Sequence, residues 1–138
     1  MLMQTVLFVC VHNAGRSQMA EAFTNHFAIQ RKLDVRALSA GTEGGKSLNP
    51  LAIEAMEELG ISMVDQTPKL LAQEMADGAD LIISMGCGVD AASCPACFML
   101  TEDWGLDDPA GQPFEEVREI RGDIERRVRT MLDDSARL

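Results

Sequence analysis

Residues 5–10 form a run in which every side chain after Thr5 is apolar, several of them β-branched or aromatic. A run this short with no polar face predicts a strand buried on both sides, the condition of a strand inside a parallel sheet. A short polar loop follows at once. After it, Met19, Ala20, Phe23 and Phe27 recur at helical spacing. Ser17 is expected to cap that helix. Strand, loop and helix in this order are the first half of a βαβ unit.

The rest of the chain repeats the alternation. Residues 34–40 predict a second strand, ended by Gly41. Pro50 stands where a first helical turn begins. Leu51, Ala55, Met56 and Leu59 give that helix an apolar face, and Gly60 stops it. Residues 61–64 predict a weak strand, 68–75 a short helix, 79–85 a strong strand and 98–100 another short strand. Residues 103–113, rich in Gly and Pro, read as loop. Residues 114–132 predict an amphipathic helix with Val117, Ile120, Ile124, Val128 and Leu132 on one side. The implied fold is α/β, a small central parallel sheet of about four strands with helices on both faces. It is expected to form one domain over residues 1–138. Ligands in such folds bind beyond the carboxyl ends of the strands. Cys10, Gly86 and the loop after Leu100 are therefore expected to converge on one edge of the sheet.

Composition narrows the partners. The net charge of −10 argues against nucleic acid and anionic membrane, which both reward a basic face. No apolar run is long enough to span a bilayer, and the first residues lack the pattern of a signal peptide. A cytoplasmic location and a monomeric state are the expectations. Four cysteines are too few for a disulfide scaffold; in a reducing compartment cysteines more often bind metal or do chemistry.

The run Cys10-Val11-His12-Asn13-Ala14-Gly15-Arg16-Ser17 is the most informative segment. A loop wound between a strand and a helix start points backbone N–H groups at one spot, and the helix dipole adds to them. Such a loop binds a tetrahedral oxyanion through Val11, His12, Asn13, Ala14, Gly15 and Arg16. The same field favours Cys10 as the attacking thiolate. Arg16 supplies a planar fork for two oxyanion oxygens. Gly15 permits a turn that a side chain resists, and the Ser17 hydroxyl can bond the sulfur. The bland alternative is a buried strand-end cysteine followed by a surface arginine.

This segment resembles the signature loop of low-molecular-weight protein tyrosine phosphatases. It resembles more closely that of the related arsenate reductases, in Asn13 and in Arg16-Ser17-Gln18-Met19-Ala20-Glu21. The likeness continues through Ser39-Ala40-Gly41, Asn49-Pro50, the cysteine-bearing loop and Trp104-Gly105-Leu106-Asp107-Asp108-Pro109-Ala110-Gly111. The resemblance implies reduction of arsenate with Cys10 as nucleophile and Asp108 as general acid. On residue type alone, Asp107 and Asp108 would pass for solvated turn residues. It further implies a relay in which Cys87 attacks Cys10 and Cys94, followed by Pro95, attacks Cys87. Thioredoxin is then the expected external reductant, with no bound cofactor. Glutaredoxin and mycothiol routes leave similar loops, and the paired cysteines favour thioredoxin. Phosphatases of this type usually carry tyrosines after Asp-Pro; here Ala110-Gly111 follow, and the chain has no tyrosine.

Three further expectations stand beside this. Many thioredoxin-coupled members hold a potassium ion with residues matching Asn13, Glu21 and Ser39, plus an Asp. This chain has Lys69 where that Asp would fall, so its ammonium is expected to replace the ion. A phosphatase is the main functional alternative. A structural zinc site on Cys94, Cys97 and Cys87 or Cys10, or a non-catalytic oxyanion-binding module, are others; no metal is expected, and Cys97 is read as a bystander.

Overall fold

The computed structural model describes residues 4–43, 45, 47–86 and 101–136. Its four strands are β1 (Gln4–Cys10), β2 (Val35–Gly41), β3 (Leu81–Ser84) and β4 (Glu102–Asp103). They form one parallel sheet in the order β2-β1-β3-β4. The helices are α1 (Arg16–Arg31), α2 (Pro50–Glu57), α3 (Gln73–Asp77) and α4 (Phe114–Ala136).

The period-two geometry of a strand explains the two cores. Val6, Phe8 and Cys10 of β1 face α1, α2 and α4, among Phe23, Met56, Trp104, Ile124 and Leu132. Leu7 and Val9 face the other way, onto Leu71, Ala76 and Ile82 beside α3. Both faces are thus covered, and this is why the first strand contains no exposed polar position beyond its start. All five residues read as the apolar stripe of the last helix are buried on α4. Asn49 caps α2, accepting from Leu51 N–H at 2.9 Å, and Pro50 opens it. Gly60, at φ +75°, ends it as expected. Beyond α2, the exposed Glu58 takes hydrogen bonds from Arg118 and Arg121 of α4. The Arg118 bond above all, then that from Arg121, holds its carboxyl down from 4.5 to about 2.

Four local expectations are corrected. Residues 61–64 form no strand. Ile61 and Met63 are buried and Ser62 and Val64 exposed, so the alternation is real. The backbone there bonds locally, Val64 N–H to Ser62 Oγ and Gln66 N–H to Met63 C=O. The helix expected over 68–75 begins only at Gln73, because the chain before it runs extended against β2. Gly41 N–H donates to Lys69 C=O and Leu71 N–H to Gly41 C=O, both at 2.8 Å. β4 lies where loop was expected, pairing with β3 through Ile83↔Glu102 and Ser84↔Asp103. Ser17 is not the cap of α1. That helix starts on Gly15 with no side-chain cap, and Ser17 lies in its first turn. The strand expected at 98–100 lies outside the described residues.

Candidate active site

β1 delivers Cys10 to the carboxyl end of the sheet, and the next five residues turn into α1. The turn depends on Asn13, which adopts a left-handed conformation at φ 56° and is fully buried. Asn is among the few non-glycine residues that tolerate this region. In that pose its backbone N–H donates to Cys10 Sγ at 3.1 Å. Its side-chain N–H donates to Ser17 Oγ at 2.7 Å. Ser17 Oγ lies 2.8 Å from Cys10 Sγ. With Asn13 donating to the Ser17 oxygen, the hydroxyl proton is free to point at the sulfur whenever Cys10 is a thiolate. Cys10 Sγ thus sits where two donors converge, an arrangement suited to an acceptor.

The orientation of Asn13 is itself enforced. Its Oδ1 accepts from Gln18 Nε2 and from the backbone N–H of Lys69, both at 2.8 Å. Gln18, buried completely, also donates to Asn13 C=O and Thr67 C=O. Gln66 donates back to the Gln18 side chain and backbone. Buried amides with every partner present rigidify their surroundings. Sequence reasoning assigned no role to Gln18, Gln66 or Thr67, although Gln18 lies within the motif. A polar side chain in the first turn of a helix otherwise buried there was the available signal.

Arg16 is 6 % exposed. Its Nη1 donates to Leu106 C=O at 2.9 Å and reaches Met85 C=O at 3.5 Å. Its Nη2 lies 4.0 Å from Asp108 Oδ2. Asp108 is exposed at the rim, its Oδ1 accepting from Ala110 N–H at 3.0 Å. Gly15 packs so near Pro109 that a methyl group there would sit 2.8 Å from the proline ring. Gly41 passes equally close to the loop, a methyl there meeting Val11 C=O at 2.6 Å. The result is a cleft of about 350 Å³ lined by Cys10, His12, Arg16, Asn49 and Asp108, among others. Val11 and Asn13 belong to the loop without lining the cleft, and Ala14 and Gly15 line it.

The expected cation-site residues come together behind the loop. Ser39 donates to Glu21 Oε1 at 2.8 Å. Lys69 Nζ lies 3.8 Å from the same oxygen and donates to Thr67 C=O at 3.1 Å. Asn13 is tied to Lys69 through the backbone bond already described.

Cys87, Cys94 and Cys97 lie outside the described residues. The approach to Cys87 is described, however. Met85 N–H donates to Val9 C=O at 2.9 Å, one step past the register pair Val9↔Ser84. Gly86 follows, and a methyl group on it would lie 3.3 Å from Arg16 Nη1. The convergence expected of the strand ends is therefore observed as far as Gly86 and Asp108. Among the described residues no group of three His, Cys, Asp or Glu side chains could hold a metal ion. No helix among them is long and apolar enough to cross a membrane.

Comparison with known proteins agrees with this arrangement. The family described as low molecular weight phosphotyrosine protein phosphatase matches residues 5–138. The chain is 37% identical over 131 residues to a glutaredoxin arsenate reductase of Synechocystis, covering 94% of this chain and 97% of that one. It is 38% identical over 128 residues to arsenate reductase 1 of Bacillus cereus, covering 91% and 92%. Among solved structures, an arsenate reductase in the phosphate-binding state matches with a TM-score of 0.80 at 36% identity, covering 96% of this chain and 98% of that one. The chain belongs to the low molecular weight phosphotyrosine protein phosphatase family.

Proposed function

We propose that this protein reduces arsenate to arsenite. The observation that carries the reading is the convergence of Ser17 and Asn13 on Cys10 Sγ, in a cleft shared with Arg16 and Asp108. His12, Ala14, Gly15 and Arg16, which line the cleft, hold the oxyanion through loop amides and the guanidinium, while Val11 and Asn13 shape the loop behind them. The Cys10 thiolate attacks arsenic. Asp108 protonates the departing oxygen, which leaves as water, and such acid catalysis contributes a factor of about 10²–10⁴. Cys87 then attacks Cys10 Sγ, the As–S electron pair passes to arsenic, and arsenite departs. Cys94 attacks Cys87, giving a Cys87–Cys94 disulfide for an external dithiol to reduce.

A phosphatase needs only the first cysteine, because water resolves its intermediate. The reductive reading is supported by the additional cysteines of this chain and by relatives named as arsenate reductases. For the reductant we favour thioredoxin, because an internal pair such as Cys87 and Cys94 presents a finished disulfide. The name of the Synechocystis relative supports glutaredoxin as the second choice. Either reductant implies a cytoplasmic setting. The test is arsenite formation by the reduced protein, supplied in parallel with thioredoxin and its reductase or with glutathione and glutaredoxin. Aryl phosphate hydrolysis without any arsenite would establish the phosphatase reading instead.

Lys69 serves in this reading as a built-in cation. Its ammonium, 3.8 Å from Glu21, does the work of an ion in holding the Glu21–Ser39 pair, while the Lys69 backbone N–H holds Asn13 and with it the loop. Potassium in place of sodium is expected to change kcat/KM for arsenate by less than about twofold, as a filled cation position requires. Lys69→Ala is expected to create a potassium dependence. Strong potassium activation of the parent protein would refute this role.

A further inference from the structure

His12 lines the same cleft as Cys10, Arg16 and Asp108, with 57% of its side chain exposed at the mouth. Its Nδ1 lies 3.8 Å from Glu43 Oε2. The backbone beneath this pair is fixed from the segment after β2. Thr42 N–H donates to Cys10 C=O at 3.0 Å and Glu43 N–H to Val11 C=O at 2.8 Å. Gly45 presses closer still, since a methyl group on it would lie 2.2 Å from the His12 carbonyl oxygen. Two chain segments thus present an imidazole and a carboxylate to each other at the rim. Among the described residues, the titratable or charged side chains that touch His12 or share the cleft are Glu43, Cys10, Arg16 and Asp108.

The reductive reading leaves a proton demand that Asp108 alone does not meet. In the first step the Cys10 thiolate forms an S–As bond with HAsO₄²⁻. One As–O bond breaks, and its OH leaves as water with the proton of Asp108. In the second step the Cys87 thiolate forms an S–S bond with Cys10, and the S–As bond breaks. Its electron pair reduces As(V) to As(III), and the departing AsO₃³⁻ unit needs three protons to leave as As(OH)₃. Asp108 has already given its proton to the water.

We propose that His12, beside Glu43, is a second general acid that gives the departing arsenite the first of its three protons as the S–As bond breaks, the other two coming from solvent water at the exposed mouth of the cleft. With Nδ1 on the side of the Glu43 carboxylate, 3.8 Å away, Nε2 is the nitrogen left to exchange protons with the cleft. Imidazole is the side chain suited to that task at neutral pH. The proposal rests on the reductive reading above.

The test is a single turnover with reduced protein in excess over arsenate, since the protein's own thiols supply both electrons. Arsenite release is followed as a rate constant at saturation, and binding as competition by inorganic phosphate. His12→Gln is expected to lower the rate constant about 100-fold, the low end of the range for a general acid, with phosphate affinity unchanged. Imidazole added to His12→Gly protein is expected to restore part of the rate. Glu43→Gln is expected to lower the rate in the same direction by less. An unchanged rate in His12→Gln, a loss that follows phosphate affinity, or no rescue by imidazole would overturn the assignment. A parent protein that forms no arsenite would overturn the functional reading itself, a result distinct from all of these.

Discussion

Reduced Cys94→Ser protein is expected to release a single arsenite per chain and then stop, even with thioredoxin and its reductase in excess. If the proposed relay operates, its chemistry dictates this pattern. Cys87 attack on Cys10 releases arsenite without any help from Cys94, so the first turnover is untouched. The product is a Cys10–Cys87 disulfide whose nucleophile sulfur belongs to a buried cleft. Cys10 is 4% exposed, with Asn13 N–H and Ser17 Oγ upon its sulfur. Thiol–disulfide exchange needs access to a sulfur as well as a good attacking thiolate, and the buried Cys10 sulfur denies an external dithiol that access. Cys94 attack moves the bond off the buried Cys10 sulfur. Steady-state turnover in Cys94→Ser is therefore expected to fall at least about 10²-fold, with a full single-turnover yield. Cys97→Ser is expected to retain turnover. Quenching after one arsenate equivalent and mapping disulfides by mass spectrometry checks the intermediate directly. Undiminished steady-state activity in Cys94→Ser would eliminate the relay.

The parts of this protein that were legible in its sequence are those whose reasons lie in side chains. β1 announced itself because a strand buried on both faces has no place for polar residues, and α4 because its apolar stripe keeps helical period. Cys10 and Arg16 stood out because an oxyanion loop between strand and helix calls for a nucleophile and a guanidinium, whereas Asp108 was reached only through the family resemblance, its residue type alone fitting a solvated turn. β4 was not legible, because Glu102 and Asp103 are both exposed and the strand exists only through backbone pairing with β3. The extended path at Lys69 and Leu71 was hidden for the same reason, since Gly41 recruits it by backbone bonds. Ser17 was misread as a cap because a hydroxyl at a helix start serves a backbone N–H or a sulfur equally well. The difference is made by Asn13, whose amide occupies the Ser17 oxygen. The carbonyls of Met85 and Leu106 that hold Arg16 carry no compositional mark at all.

Those carbonyls give Arg16 a second task besides the oxyanion binding proposed for it, and this makes Arg16→Lys a costly change. The guanidinium commits Nη1 to Leu106 C=O, two residues before Asp108, while Nη2 faces the Asp108 carboxylate. Gly86 is compressed into the same junction. At φ +139° it has no side chain, and a methyl group there would meet Leu106 C=O at 2.8 Å. A lysine ammonium is a single point on a flexible stem and cannot fill both positions of the fork. Arg16→Lys is therefore expected to lower kcat/KM for arsenate about 10²–10³-fold, the range for losing a preorganised donor to developing charge. Part of the loss arises because the loop bearing Asp108 is no longer held. A double-mutant cycle with Asp108→Asn separates the two tasks. If Arg16 positions the acid as well as the oxyanion, the double variant falls little below the worse single one, since an acid out of place has already been lost. Strict additivity would confine the guanidinium to the oxyanion, and an Arg16→Lys effect below about threefold would remove it from transition-state stabilisation altogether.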